Sequence, residues 1–574
     1  MSIRTFNAFA VIFVLLFAGC YVDEKVPPII SYSITSPKLG WAYYEDSKIM
    51  LALSIDTQEI TWRSSVDGHL GEGNHLLLFL SAGSHEITAD VLGTEKTVRI
   101  AVLPRDAALF PETKTLINYS PLERLYPGGR HYPYFITFDG SIKGFRKSGS
   151  APESRMQNRA VIGEQHECIA RDLQVALNGR PAMIPQNKAG MRSHRSLYYE
   201  LGEKQVFYVP NTGYLYALPH EIDAVLFYSS DKVNVWIPEL ESIDEALLLE
   251  CVLAVENSIL YRLEQIWGVA ADINGDGRLA ILVSKTINDE GRAIGFFNPA
   301  DFYRRETDPS SNAYNPASNE MLVVYIAAPD NSTASYSKES IVATIAHEVT
   351  HAITYTHKTW QKEMMGQTGA KREELFLDEG LSHLSEVLCG IGYSGGTVKY
   401  LQRYLENTAY YSICGKNIYG QDDSVGMRGI ITLFLSWLFW EKGGMDSGGI
   451  DFLRMLVNSD GTGWENIGKI AGTKTDVLLE EMVKEINSLR ANNSQRQYKV
   501  DAASGEPLEL FPGINFDGTA IAFPTPYDVA KPTDIGPWTI IFYDPFVMES
   551  PGITTFFSAS QTGMGFFVSA FLPE

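Results

Sequence analysis

Short runs of alternating apolar and polar residues fill the N-terminal part of the chain, from about residue 28 to residue 104. Examples are SKIMLALSI, QEITWRSS and KTVRIAVLP, which turn residues separate at intervals of about 8–12 residues. Alternation with a period of two is typical of strands that bury one face. The pattern predicts a small antiparallel β-sandwich over residues 28–104, with Trp62 as its core aromatic residue.

The middle of the chain has a different pattern, in which apolar residues recur every three or four positions. Residues 242–267 and 337–355 show this helical period clearly, and a strand-like run precedes the second of them at residues 321–327. Residues 429–440 are almost wholly apolar and predict a buried helix, because 12 residues are too few to span a bilayer. Residues 501–574 return to short alternating runs.

The N-terminal segment, residues 1–19, has one early cation, Arg4, and a long apolar run, which is typical of a signal peptide. Its end and Cys20 read FAGC, which resembles a bacterial lipobox, although Phe17 replaces the usual leucine. The resemblance implies cleavage before Cys20, attachment of a lipid to its thiol and a location outside the cytoplasm, anchored to the outer membrane or cell surface. The alternative is an ordinary secretory signal followed by a chance cysteine.

Charge and cysteine content narrow the range of partners. The chain carries 47 Lys and Arg against 69 Asp and Glu, a net charge of −22. Proteins that bind nucleic acid need a basic surface for the phosphates, so no nucleic-acid partner is expected. Five cysteines in 574 residues, with no CxxC pair, exclude a disulfide scaffold and do not suggest a cysteine-ligated zinc site.

Candidate chemistry begins with the segment HEVTH at residues 347–351, which matches HExxH. On a helix, His347 and His351 lie one turn apart, so both imidazoles can bind one zinc ion. Glu348 lies beside them without binding the metal, and it can act as general base toward a metal-bound water.

A second amphipathic segment, ELFLDEGLSHLSE, follows at residues 374–386. Catalytic zinc sites use three protein ligands and leave a fourth position open, and Glu379 can supply the third ligand. His383 and Glu386 follow Glu379 at i+4 and i+7 on the same helix face. Either side chain can accept the hydrogen bond that fixes the tautomer of a ligating imidazole, and His383 can also be an alternative ligand.

HExxH followed by a helix with a glutamate ligand is the gluzincin arrangement, and LDEGLSHLSE is similar to a segment of the hyicolysin family of zinc metallopeptidases. DINGDGRLAILV at residues 272–283 and GFFNPADFY at residues 295–303 also resemble segments of that family. The resemblance covers residues 205–489, about half of the chain.

Carried onto the matching positions, the resemblance implies that His347, His351 and Glu379 bind zinc and that Glu348 is the catalytic acid and base. Two positions depart from the pattern. Asp378 precedes the glutamate ligand where asparagine is commoner, and His383 stands where thermolysin-like relatives have an aspartate. Neither departure removes a ligand.

Together these patterns predict a multidomain α+β fold, in which a gluzincin-like catalytic region with a mixed sheet and zinc-binding helices lies between β-sandwich-like modules. The N-terminal sandwich also resembles bacterial immunoglobulin-like modules. The predicted regions are a signal peptide (1–19), a tether (20–27), the immunoglobulin-like sandwich (28–104), an intermediate region rich in strands and loops (105–204), the catalytic region (205–489) and a C-terminal β-module (501–574).

Two further sites are candidates. Asp272, Asn274 and Asp276 match the first half of an EF-hand loop, so Ca²⁺ is a candidate second ion there. No glutamate closes the loop, however, and an Asx-Gly turn gives the same string. An oxyanion donor is also needed, and Tyr419 is the first choice among Tyr400, Tyr404, Tyr410, Tyr411 and Tyr419. By fold analogy, residues 321–327 form an edge strand against which an extended peptide can pair.

The expected function is zinc-dependent hydrolysis of peptide bonds in proteins outside the cytoplasm, with a protein or peptide as substrate and the membrane contacted by the lipid anchor alone. A surface adhesin with an inactive or structural metal site is the alternative from a different class. A zinc hydrolase of non-peptide substrates is a second alternative, because HExxH does not exclude it.

Overall fold

Two compact units make up the chain in this computed structural model: residues 1–39 with 43–104, and residues 40–42 with 105–574. The structure describes residues 32–37, 41–45, 48–55, 60–103, 130–137, 141–145, 199–212, 218–367, 370–417, 420–421, 423–446, 448–491, 496–516, 519–527, 533–544, 546–547, 558–559 and 564–571. Cys20 and the predicted signal peptide and tether lie outside the described residues, as does most of the predicted intermediate region.

The first unit is built from antiparallel strands. Trp62 is fully buried there and donates its indole N–H to Gly73 O at 3.0 Å, so the predicted core aromatic is confirmed. One boundary between the units lies within β2 (Trp41–Tyr44). One sheet, in the order β1-β3-β6, contains β1 (Ile34–Ser36), β3 (Ile49–Leu53) and β6 (Leu76–Leu78). The remaining strands pair in the order β5-β4-β7-β8 and are β4 (Ile60–Ser64), β5 (Gly68–Glu72), β7 (Gly83–Val91) and β8 (Thr94–Leu103).

The second unit contains strands from both ends of the chain. Strand β9 (Arg130–Thr137) pairs with β22 (Ile540–Phe542), β23 (Phe546–Val547) and β25 (Met564–Phe571), and β25 also pairs with β24 (Ser558–Ala559). Strand β10 (Ser141–Phe145) pairs with β21 (Thr533–Ile535). Parts of the segments expected to be an intermediate region and a C-terminal module therefore share sheets.

A six-stranded mixed sheet carries one side of the site. Its strands are β11 (Lys204–Val209), β12 (His220–Ser229), β13 (Val233–Pro238), β14 (Leu279–Ser284), β15 (Gly295–Phe297) and β16 (Val323–Ala327), in the order β11-β12-β13-β14-β16-β15. Strands β13, β14 and β16 are parallel and fully buried, which explains their continuous apolar sequences.

The edge of this sheet differs from the expectation. Strand β16, within residues 321–327, pairs with β14 on one side and with β15 on the other, so it is an inner strand and the predicted edge strand is wrong. The edge is β15, which has only three residues. A strand this short is too brief to produce a readable alternation along the sequence.

Helices form the rest of the second unit. They are α1 (Glu245–Ala254), α2 (Leu260–Trp267), α3 (Lys285–Glu290), α4 (Lys338–Tyr355), α5 (Gln361–Met364), α6 (Leu375–Leu388), α7 (Thr397–Glu406), α8 (Val425–Glu441), α9 (Gly448–Asn458), α10 (Gly463–Ala471) and α11 (Thr475–Ala491). The predicted helices at residues 242–267 and 337–355 are confirmed, the first as α1 and α2 joined by a π-turn at Val255–Ile259. Within the described residues, no helix has both the length and the hydropathy needed to cross a bilayer.

The remaining short elements lie in loops. Two hairpins are formed by β17 (Lys416–Asn417) with β18 (Gly420–Gln421) and by β19 (Asn515–Phe516) with β20 (Thr519–Ala520). Single 3-10 turns occur at Pro299–Phe302, Ala334–Tyr336, Thr408–Tyr410 and Gly444–Asp446. The fold is therefore a mixed α/β architecture with several sheets and helices.

Two glycines allow helices to approach closely around the site. A Cβ atom on Gly380 of α6 would lie 2.5 Å from Ile431 Cγ1 of α8, and one on Gly429 of α8 would lie 2.1 Å from the carbonyl oxygen of Tyr400 in α7. Both distances are far below van der Waals contact. The three helices can therefore pack at this spacing only because these positions lack a side chain.

We predict that Gly429→Ala destabilises the protein more than Gly380→Ala. The added methyl at residue 429 meets rigid backbone, whereas the methyl at residue 380 meets a side chain that can rotate. Overpacking of this kind costs about 1–3 kcal/mol, which exceeds the gain of about 1 kcal/mol in helix propensity. Urea unfolding followed by tryptophan fluorescence measures the difference.

Gly468→Ala in α10 is the matched control, because the nearest atom to its Cβ, Thr473 O, would be 3.2 Å away. This substitution should leave stability nearly unchanged. Equal unfolding midpoints for wild type and Gly429→Ala would contradict the close approach of α7 and α8.

Candidate metal centre

Helix α4 presents polar side chains within an otherwise apolar, buried segment. Ser337 caps its first turn by accepting a hydrogen bond from the Ser340 N–H. His347 and His351 lie at i and i+4 on one face, and their Nε2 atoms are 3.1 Å apart. The helical period therefore brings two imidazole nitrogens to one point.

Helix α6 supplies a carboxylate opposite the two rings. Glu379 is 1% exposed. Its Oε2 atom lies 3.4 Å from His347 Nε2, and its Oε1 atom lies 3.7 Å from His351 Nε2. The structure thus brings the three expected ligands together between α4 and α6.

A further carboxylate lies behind each imidazole. Glu386 Oε1 is 3.0 Å from His347 Nδ1. Asp378 Oδ2 is 3.2 Å from His351 Nδ1, and Ser382 Oγ lies at the same distance from that nitrogen. A carboxylate at Nδ1 favours the tautomer that carries its proton there, so both Nε2 lone pairs point to the centre.

Glu386 is held by three donors. Besides His347, it accepts hydrogen bonds from His383 Nδ1 at 2.8 Å and from Thr397 Oγ1 at 2.6 Å. Burial by itself would raise the pKa of this carboxyl, but His383 and His347 outweigh burial and lower the pKa to about 2. Glu386 therefore stays ionised. Burial lowers the pKa of His383 to about 4 against the opposing effect of Glu386, so its ring is neutral at pH 7.

Glu348 is oriented from the sheet edge. The backbone N–H of Phe297 in β15 donates to Glu348 Oε2 at 2.9 Å. Burial raises the pKa of Glu348, while the charges of His347 and His351 act against that rise. A carboxylate with a raised pKa, fixed beside the two imidazoles, is suited to exchanging protons with a molecule in the site.

Within the described residues, two buried groups of side chains can hold a metal ion: His347 with Glu348 and His351, and His347 with His383 and Glu386. Glu379 belongs to neither group, although its two oxygens lie 3.4 and 3.7 Å from the imidazole nitrogens. In the second group the nitrogens lie 2.8 and 3.0 Å from Glu386 Oε1, which are direct hydrogen-bond distances. In the first group, Glu348 Oε2 already accepts a hydrogen bond from the backbone N–H of Phe297. Glu379 is therefore a better third ligand beside the two imidazoles than Glu348 or Glu386.

The distances and the chemistry of the donors fit a small divalent ion. Neighbouring ligand atoms of a tetrahedral zinc site lie about 3.3–3.5 Å apart, given metal–ligand bonds of about 2.0–2.2 Å. The two Nε2 atoms are 3.1 Å apart, and the Glu379 carboxylate faces them with both oxygens, Oε2 at 3.4 Å from His347 Nε2 and Oε1 at 3.7 Å from His351 Nε2. Glu379 Oε2 is buried and accepts no hydrogen bond, so one of its lone pairs lacks a donor.

The charge of the site also favours a cation at its centre. Four buried carboxylates, those of Glu348, Asp378, Glu379 and Glu386, surround the rings and face one buried guanidinium, that of Arg428. Burial opposes a positive charge on His347, but Glu379 and Glu386 outweigh it and raise the pKa of this imidazole to about 10. The carboxylates therefore attract positive charge to the point where the ligands converge.

Arg428, which no sequence pattern singles out, lies near the start of α8 and is 3% exposed. Its Nη1 atom is 2.7 Å from Glu379 Oε2, although this contact is too far out of line to count as a hydrogen bond. Burial would raise the pKa of Glu379, but Arg428 and the two histidines hold it well below its usual range. The sequence feature that could identify Arg428 is its position next to a long apolar run, because an arginine buried there needs charged or polar partners.

A cleft that is partly open to solvent leads to His347, His351 and Glu379. Residues 293–296 at the sheet edge form one wall, and Ala343 and Thr344 of α4 and Tyr400 of α7 contribute to the lining. The ring of Tyr400 packs edge-on against His383 with 5.1 Å between centroids. Metal ligands, Glu348 and the sheet edge therefore share one cleft.

The remaining residues expected at functional sites lie elsewhere in the structure or outside the described residues. Tyr419 lies outside the described residues, and of the remaining tyrosine candidates Tyr404 is 1% exposed, with its hydroxyl in the core. Asp272 accepts hydrogen bonds from the N–H groups of Gly275 and Gly277, at 2.8 and 3.1 Å. These contacts are those of an Asx-type turn, the alternative expected for this string.

Comparison with known proteins gives no family: no family model matches the chain, and no curated protein matches it. The function of the chain is therefore inferred from the residues of the site.

We predict that Glu386→Gln weakens zinc binding by about 10–100-fold. The amide has a similar shape but no negative charge, so it no longer stabilises the imidazole of His347 as a ligand. Competition with a chromophoric chelator measures the affinity.

Glu373→Gln is the matched control, because Glu373 is equally buried but pairs with Lys358 at 3.1 Å. This variant should lose stability while keeping its zinc affinity. An unchanged affinity in Glu386→Gln would show that the contact to His347 does not support metal binding.

Proposed function

We propose that this protein is a zinc-dependent endopeptidase of the gluzincin type, related to the hyicolysin family. One observation carries the proposal: two imidazoles of an HExxH helix and a carboxylate of a second helix converge within 3.1–3.7 Å. Glu348 stands beside them and is bound to the sheet edge rather than to the converging atoms. This division into three ligands and one separate carboxylate is what metal-assisted hydrolysis requires.

His347, His351 and Glu379 would hold the zinc ion. When bound, zinc would supply a Lewis acid that polarises the scissile carbonyl and makes a water molecule more acidic. Glu348 accepts a proton from the attacking water and delivers it to the leaving amine. The Phe297 N–H keeps the Glu348 carboxylate aimed at the cleft during both transfers.

Strand β15 supports a peptide as the substrate. Among the strands that the structure describes, it is the terminal one of its sheet, so one side of its backbone has no strand partner there. Its residues Gly295 and Phe296 line the cleft beside His347 and Glu348. An extended peptide that adds to this edge would bring its backbone alongside the metal ligands.

The proposed location is outside the cytoplasm, with the chain held at a bacterial membrane through a lipid on Cys20. A signal-like segment followed by FAGC supports this location. Substrates would then be proteins or peptides of the cell envelope or its surroundings.

We predict that Glu348→Gln keeps one equivalent of zinc and loses about 10²–10⁴-fold in turnover, because the amide cannot accept the proton. Elemental analysis of the chain from Tyr21 onward gives the zinc content, and cleavage of unfolded casein with and without a chelator gives the activity.

Glu363→Gln is the control, because Glu363 accepts a hydrogen bond from Tyr303 and lies on α5, away from the ligands. Full activity in Glu348→Gln would exclude it as the general base. Zinc without cleavage in the wild type would favour an adhesin or a non-peptide substrate, and a wild type without zinc would contradict the metal centre.

A further inference from the structure

Arg428 occupies a position that an arginine takes only at a cost in desolvation. It is 3% exposed, and the helix around it is buried from Val425 to Phe439. Asp423 holds one side of the guanidinium with two hydrogen bonds, to Nε at 2.9 Å and to Nη2 at 3.0 Å. This paired geometry fixes the plane of the guanidinium and leaves Nη1 directed toward the site.

The Nη1 atom reaches two groups of the metal centre. It lies 2.7 Å from Glu379 Oε2 and 3.5 Å from His383 Nε2. His383 Nδ1 lies 2.8 Å from Glu386 Oε1, and the opposite ring nitrogen, Nε2, faces the guanidinium.

His383 also connects Arg428, through Glu386, to a second ligand, His347. Its Nδ1 and His347 Nδ1 both bind Glu386 Oε1, at 2.8 and 3.0 Å. A continuous series of contacts therefore runs from Arg428 through His383 and Glu386 to His347, while a direct contact runs from Arg428 to Glu379.

We propose that Arg428 is a positioning residue that holds two of the three zinc ligands, Glu379 directly and His347 through His383 and Glu386. This inference rests on the proposed metal centre. Asp423 orients Arg428, and Arg428 holds the Glu379 carboxylate in place within the buried cluster. His351 is outside this network, because Asp378 and Ser382 hold its Nδ1.

The test compares zinc affinity in the full chain from Tyr21 onward. Arg428→Met should weaken zinc binding by about 10–100-fold, the range typical of lost partners of metal ligands. His383→Gln removes the series of contacts to His347 but keeps the ion pair with Glu379, so it should give a smaller loss. Arg496→Met is the matched control, because Arg496 is also largely buried but pairs with Glu485 and Glu509.

A second readout separates positioning from mere stability. In protein loaded with Co²⁺, the visible absorption bands report the geometry of the ligands, and they should change in Arg428→Met and stay unchanged in Arg496→Met. If Arg428→Met does not fold, Arg428→Lys serves instead, because its single ammonium cannot contact Asp423, Glu379 and His383 with the same geometry. Arg428→Lys should then show a smaller loss of affinity and a shifted Co²⁺ spectrum.

Wild-type affinity and an unchanged Co²⁺ spectrum in a folded Arg428 variant would overturn the proposal. So would a loss of affinity as large in Arg496→Met as in Arg428→Met. A wild-type chain that binds no zinc would instead contradict the proposed function, so the two failures can be told apart.

Discussion

Charge buried where α4, α6 and α8 meet constrains the elements packed around it. Each carboxylate there has left water, and an uncompensated buried charge costs about 3–5 kcal/mol. The structure meets this cost with short contacts: Phe297 to Glu348, Thr397 and two histidines to Glu386, and Arg428 to Glu379. Since each contact comes from a different element, the cluster fixes the sheet edge, α7 and α8 relative to α4 and α6.

Close packing makes these short contacts reachable. Gly380 follows the ligand Glu379 directly, and its lack of a side chain brings α6 against Ile431 of α8, one turn from Arg428. Gly395 has a similar effect on the segment before α7, since its Cβ would lie 2.6 Å from Ala343 Cβ of α4. That approach places Thr397 within hydrogen-bond distance of Glu386. The polar network thus depends on small residues that carry no chemistry themselves.

The parts of the site that could be predicted from the sequence depend on helical periodicity. His347, Glu348 and His351 sit within one turn of α4, and Glu379, His383 and Glu386 sit along one face of α6, so spacing alone places them. The role of Asp378 behind His351 was not anticipated, because it depends on how α6 is rotated against α4. Arg428 and Thr397 come from other helices, and β15 is recognisable as a strand only by its pairing with β16. Tertiary contacts of this kind leave no period in the sequence.

The spacing within α6 explains why His383 and Glu386 occur together. The carboxylate that contacts His347 is at i+7, nearly two turns from Glu379. His383 takes the intervening i+4 position, and its ring stacks edge-on against His347 with 4.4 Å between centroids. From there it donates to Glu386 and faces Arg428. A carboxylate at i+7 without His383 would lose one donor, and His383 without a carboxylate would be a buried imidazole with an unpaired N–H. The two residues therefore form one hydrogen-bonded unit, in which the His383 ring links the Glu386 carboxylate to Arg428.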